Sequence, residues 1–265
     1  MKKQKQKEKV CPICGGDGYV RGKTGMIRCQ CVKDELYKKL GKFCNMSVDQ
    51  YETEVNFENY NIKTSQGTEL SYKQLMNYIL LHYKEKKKLE LYFQGPRGVG
   101  KTLFANKLIA KIVKMVERKK NFEDGYSIKK QAHIISNVNL LSLYGKFNDQ
   151  EKQRQVEEIR KKRILIIDGF LQNIDMQNFK KTFMNELIKE RSSDNYITIL
   201  ISQNSIIESI NEINDKKKRL QDVLSEYQIV KFRGNLYDSY RGKNKKDTLD
   251  NVDLNKLEGV DVSEI

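Results

Sequence analysis

The chain has 265 residues, enough for one sizeable α/β core and a small additional module. Charged residues make up 32% of it and the formal net charge is +15. That excess points to a polyanionic partner, nucleic acid before membrane surface, against the alternative of a solvated lysine-rich surface. No apolar run reaches transmembrane length, and Met1 to Lys9 is a lysine tract with no hydrophobic region after it. The expectation is a cytoplasmic protein with no membrane partner. Five cysteines do not suggest a disulfide framework, and four of them cluster near the N-terminus, which suggests a metal.

Residues 1–10 read as a basic disordered arm. In CPICGGDGYVRGKTGMIRCQC, Cys11 and Cys14 are spaced C-x2-C, and Cys29 and Cys31 are spaced C-x-C. Two close thiolate pairs suit a tetrahedral structural Zn²⁺ site. The glycines between them permit turns whose N–H groups face the sulfurs. So small a module has no core of its own, and metal binding would supply its folding free energy. Cys44 reads as a small buried residue. Residues 32–68 read as a helix followed by a polar, irregular linker, with Asn56 to Tyr60 (NFENY) as its aromatic cluster. Glu69 to Lys88 reads as a helix with Leu70, Leu75, Ile79 and Tyr83 on or near one face.

Leu89 to Phe93 is a short apolar run that feeds Gly95-Pro96-Arg97-Gly98-Val99-Gly100-Lys101-Thr102-Leu103, which contains G-x-x-x-x-G-K-[ST]. The glycines let backbone N–H groups close around phosphate oxygens. Lys101 can reach the β and γ phosphates, Thr102 can ligate Mg²⁺, and the next helix points its positive end at the anion. Phe104, Leu108, Ile109, Ile112 and Val116 recur at helical spacing, so the strand–loop–helix context is present.

A strand over Ala132 to Ser136 and a helix around Asn139 to Tyr144 follow; His133 reads as structural. A charged helix, Gln150 to Lys162, leads into Arg163-Ile-Leu-Ile-Ile-Asp168. Four apolar residues ending in Asp describe a buried parallel strand that delivers a carboxylate to the edge where Mg²⁺ would lie. Met176, Phe179, Phe183, Leu187 and Ile188 mark a helix ending near Arg191. Tyr196 to Ser202 is another buried strand, with Asn204 at its tip. Lys216 to Glu226 reads as a helix, Gln228 to Phe232 as the last strand, and the chain from Gly242 as a polar tail. The order β–P-loop–α–β–α–β(Asp)–α–β(Asn)–α–β belongs to an α/β P-loop NTPase of the AAA+ type, with a parallel sheet flanked by helices and a minimal or absent lid. The expected division is arm 1–10, zinc module with helix 11–45, linker and helix 46–88, ATPase core 89–241 and tail 242–265.

These residues resemble the bacterial and phage replicative-helicase loaders of the DnaC/DnaI type, related to the transposition ATPase IstB. CPICGGDGYV…RCQC resembles the loaders' zinc module, NFENY a linker motif, GPRGVGKT Walker A and ILIIDG Walker B. NVNLLSLY resembles the segment after the second strand, NELIKER the helix end before sensor 1, and ISQN sensor 1. KRL around Arg219 resembles the arginine-finger region, and DSYR, ending at Arg241, the sensor-2 signature. The resemblance implies an ATP- and Mg²⁺-dependent protein that binds a hexameric replicative helicase and places it on single-stranded DNA, with nucleotide-dependent self-assembly. It further implies that Asp168 orients the metal, Asn204 senses the γ-phosphate, Arg219 reaches a neighbouring protomer's nucleotide and Arg241 contacts nucleotide. The sequence departs from the family at Gly169, where a second acidic residue usually positions the attacking water; Asp175 is too far along to replace it. An IstB-like transposition helper and a non-hydrolysing ATP-gated adaptor are the competing readings.

Overall fold

The computed structural model describes residues 10–22, 25–32, 61–118, 131–144, 150–171, 178–212 and 219–233. At the N-terminus, β1 (Tyr19–Gly22) and β2 (Gly25–Arg28) form an antiparallel hairpin with Tyr19 opposite Arg28. The core then runs β3 (Asn61–Thr64), β4 (Glu69–Leu70), α1 (Tyr72–Lys84), β5 (Leu89–Gln94), α2 (Lys101–Arg118), β6 (Ala132–Ser136) and α3 (Asn137–Tyr144). It continues through α4 (Gln150–Arg160), β7 (Ile164–Asp168), α5 (Asn178–Ser193), β8 (Ile197–Ser202), α6 (Ile206–Glu212), α7 (Arg219–Leu224) and β9 (Gln228–Arg233).

Seven strands form one sheet in the order β4-β3-β9-β5-β8-β7-β6. The five strands from β9 to β6 are parallel, and β3 is antiparallel to β9. Parallel strands covered on both faces read as continuous apolar runs, and the pleat divides each run between two cores. Leu91, Phe93, Ile164, Ile166, Ile197 and Ile199 face one side, packed with α1 and α2 through Leu75, Ile79, Phe104, Leu108 and Ile112. Tyr92, Leu165, Ile167 and Leu200 face the other, packed with α3, α4, α5 and α7 through Leu140, Ile159, Phe183, Leu187 and Leu224. Burying one such side chain contributes roughly 1.5–3 kcal/mol, so these two layers dominate the stability of the sheet.

Four expectations need correction. The segment 61–68 is not irregular: β3 pairs with β9, placing Ile62 opposite Phe232, and turns through Gly67 into β4. A four-residue strand with one buried aliphatic side chain has no visible period, and its partner lies at the far end of the chain. The helix expected from Glu69 to Lys88 spans only Tyr72–Lys84. Ser71 caps it: Ser71 Oγ accepts from the Gln74 N–H at 3.1 Å, and Gln74 Oε1 accepts from the Ser71 N–H at 2.7 Å. The helix around Asn139 begins at Asn137, and the charged helix stops at Arg160 rather than Lys162. The remaining core strands fall within a residue or two of their expected bounds.

Arg191, near the end of α5, is 1% exposed and acts as a clamp at the N-terminal edge of the sheet. It donates to the carbonyls of Arg160 (2.6 Å), Lys162 (2.8 Å) and Ile197 (2.8 Å) and to Thr198 Oγ1 (3.0 Å). Burial pulls its guanidinium down to about 10, and its donors are matched to neutral acceptors rather than to a carboxylate. The arginine closing the NELIKER motif therefore ties α4, α5 and β8 together. The arm 1–9, Cys44, the NFENY cluster, Asp175, Arg241 and the tail lie outside the described residues.

Candidate functional site

The site forms where β5, β7 and β8 end on the same side of the sheet. Register aligns the tips: Gln94 pairs with Ser202, Asp168 with Ile201, and Ser136 with Asp168. The loop between β5 and α2 crosses above them. Gly95 has φ +150, and a Cβ built on it would stand 2.1 Å from the carbonyl oxygen of Phe232 in β9. Only glycine fits there, because the last strand approaches the loop backbone to backbone.

A cavity of ≈ 360 Å³ opens beneath the loop, lined by Arg97, Gly98, Gly100, Lys101, Thr102, Leu103, Asp168, Ile201 and Gln203. Lys101, 6% exposed, donates from Nζ to the carbonyl oxygens of Gly95 (2.5 Å) and Pro96 (2.7 Å). Burial lowers its ammonium to about 8, and the Asp168 carboxylate opposes that shift. Val99 packs against the core below the loop. The first turn of α2 contains no acidic residue of its own, and its positive end faces the cavity.

Thr102 Oγ1 donates to Asp168 Oδ2 at 2.9 Å. Two adjacent ligands of an octahedral Mg²⁺ at ~2.1 Å would stand about 3.0 Å apart, so this hydroxyl and carboxylate fit a Mg²⁺ ion. Loop amides, a buried cation and a metal-competent oxygen pair are together suited to binding a triphosphate.

The expected residues do not all gather here. Asn204 is not among the lining residues: its carbonyl accepts from the Tyr92 hydroxyl at 3.1 Å and its N–H donates to Ser202 Oγ at 3.3 Å. Its neighbour Gln203 lines the cavity instead. Every residue of β8 is buried, so alternation along the strand gave no means of choosing between them. Arg219 opens α7.

The second centre is the cysteine module. The hairpin β1–β2 returns the chain so that the sulfurs of Cys11, Cys14, Cys29 and Cys31 all lie within 4.8 Å of one another. Cys11 Sγ is 3.9 Å from Cys29 Sγ, and Cys14 Sγ is 3.5 Å from Cys31 Sγ. Tetrahedral Zn–S bonds of ~2.3 Å would set sulfurs about 3.8 Å apart, so the four fit a zinc ion. The Gly18 N–H donates to Cys14 Sγ at 3.3 Å, as expected of a glycine-bearing turn around a thiolate. Backbone hydrogen bonds from Cys14 and Ile13 pull the Cys11 thiol down to about 6, while burial pushes that of Cys31 up to about 12. Val10, Ile13 and Met26 stand 67–68% exposed on this module.

Among the described residues, no helix is long and apolar enough to cross a membrane. No protein-family model matches the sequence, and no curated protein matches it. Among solved structures the chain is similar to a crystal structure of DnaI, with 14% identity and a TM-score of 0.50 over 71% of this chain and 95% of that one. Two others overlap less well. A crystal structure of the DnaC helicase loader has 15% identity and a TM-score of 0.41 over 60% of this chain and 87% of that one. Domain III of the Thermotoga maritima replication initiation protein DnaA has 17% identity and a TM-score of 0.44 over 60% and 61%. The likeness to DnaI is one of fold alone: a mostly parallel sheet flanked by helices, as the sequence led us to expect.

Proposed function

We propose that this chain is an ATP-controlled helicase loader, which binds a hexameric replicative DNA helicase in the cytoplasm and helps deliver it onto single-stranded DNA. The observation that carries this reading is the 2.9 Å hydrogen bond from Thr102 to Asp168 beneath a phosphate loop, in a core that shares the fold of DnaI. In this reading Gly95 to Leu103 hold ATP, and Lys101 neutralises its terminal phosphates. Thr102 and Asp168 hold the Mg²⁺ that offsets the remaining charge. Asn204, Arg219 and Arg241 then report the nucleotide state to the same or a neighbouring protomer. Residues 89–241 form the ATPase core, and the zinc-bound module 11–45 with its flank presents the exposed Val10, Ile13 and Met26 to the helicase. The net charge of +15 supports an electrostatic contact with single-stranded DNA.

The deciding experiment is to immobilise the full chain and offer it lysate of the native host with ATP, with ADP and without nucleotide. A hexameric helicase retained preferentially with ATP, and transferred to added single-stranded circles, is the expected result. Retention of a transposase instead would favour the IstB-like reading. Failure to retain any helicase in all three conditions would remove the loader reading.

A further inference from the structure

Among the described residues that line the cavity Asp168 is the one carboxylate, and position 169 offers no second one. Gly169 follows Asp168 with φ +72, a left-handed conformation that a residue bearing Cβ adopts only at a cost. Beyond it the chain is fastened to β8. The Phe170 N–H donates to the Ile201 carbonyl at 2.8 Å, and Ser202 Oγ donates to the Phe170 carbonyl at 3.1 Å. The Phe170 ring is fully buried and meets Tyr92 edge-on, with ring centres 6.4 Å apart. The chain after Gly169 is thereby fastened to β8 and buried in the core.

The same fastening fixes the tip of β8. Ser202 is 1% exposed and engaged by Phe170, and Asn204 is held at its carbonyl by Tyr92. Gln203 lies between these two anchored residues and lines the cavity with Lys101, Thr102 and Asp168. A primary amide carries an acceptor oxygen and donor hydrogens on one planar group. It can therefore accept from a water molecule and donate to a phosphoryl oxygen simultaneously.

We propose that Gln203 is the catalytic residue that orients the attacking water for ATP hydrolysis, in place of the acidic residue missing at position 169. The proposal rests on reading this cavity as the ATP site. Gln203 holds the water in line with the γ-phosphorus. The water oxygen forms the new P–O bond, and the bond from the γ-phosphorus to the β–γ bridging oxygen breaks. ADP leaves with that electron pair, and the water's proton passes to an oxygen of the departing phosphate. The amide neither gains nor loses a proton, so the role demands position rather than basicity. Asp168 remains committed to Thr102 and the metal.

The test compares the parent with Gln203→Ala in three measurements, each with Mg²⁺ and single-stranded DNA present. These are binding of a fluorescent ATP, binding of ADP with tetrafluoroaluminate as a transition-state mimic, and single-turnover hydrolysis. The expected result is ATP affinity within about two-fold of the parent, with mimic affinity and single-turnover rate both reduced ~10²-fold. If Gln203→Ala keeps the parent's rate and mimic affinity, the assignment is overturned. Equal loss of ATP and mimic binding overturns it as well, because that is the mark of a packing or ground-state role. A parent that binds ATP but neither turns over nor binds the mimic refutes this proposal alone. A parent that does not bind ATP refutes the nucleotide-site reading and the proposal together.

Discussion

Lys101 Nζ donates to the carbonyl oxygen of Gly95 at 2.5 Å, closing the phosphate loop on its own cation. On the proposed reading of this loop, phosphate oxygens would displace Gly95 and Pro96 from Nζ, and nucleotide binding would open this internal ring.

The first prediction concerns pH. Burial holds Lys101 at about 8, below its ordinary 10.5. An anion favours the charged ammonium and raises that value on binding. Affinity for ATP should therefore be greatest below pH 8 and fall as pH rises through it, with proton uptake on binding near pH 8. For folding the sign is separate: between about 8 and 10.5 the unfolded chain binds more protons at this site, so its contribution favours the native state as pH rises there. Calorimetric titration in two buffers of different ionisation enthalpy reads the uptake. Lys101→Ala should abolish it and weaken ATP binding strongly; parent-like affinity would remove the loop assignment.

Gly95→Ala should destabilise the fold by about 3 kcal/mol, because its Cβ must displace the last strand. Gly98→Ala meets nothing within 4 Å, although its φ is +81, and should cost only about 1 kcal/mol of backbone strain. Urea unfolding of both variants makes the comparison, and equal losses would mean that β9 does not press on the loop.

Gly169→Glu restores the acidic residue in name only. With φ +72 at that position, it should destabilise the protein by roughly 1–2 kcal/mol without raising turnover. Gly169→Asn, which tolerates the left-handed region, should be milder. Turnover that rises in Gly169→Glu at parental stability would return the water-positioning role to this residue.

The cysteine module should carry one Zn²⁺ per chain, held by Cys11, Cys14, Cys29 and Cys31. Elemental analysis of protein purified without added metal tests this. A zinc content near zero, or full zinc after Cys11→Ser with Cys29→Ser, would sink it.

Single-stranded DNA binding should be electrostatic and weakly sequence-selective. If only three phosphates are neutralised, the salt slope is about −2 and affinity falls roughly twenty-fold between 50 and 200 mM salt. Filter binding at three salt concentrations measures the slope. A flat response would reduce the +15 charge to a solvated surface.

The sequence by itself determined the parts of this protein whose physics is local. The phosphate loop, the strand ending in Asp168 and the paired cysteines each depend on residue types at fixed short spacings, because loop amides, pleat and metal geometry act over a few residues. Tertiary structure decided what depends on distant neighbours. β3 exists as a strand because β9 offers Ile62 the opposing Phe232, a pairing that no local period encodes. Gly95 must be glycine because the Phe232 carbonyl closes on it, and Gly169 turns left-handed where its chain fastens to Ile201 and Ser202. Along the fully buried β8, hydrophobicity is uniform and carries no directional signal. Which residue beyond its tip lines the cavity came from the folded chain, where Gln203 does so and Asn204 is tied to Tyr92 through its backbone carbonyl.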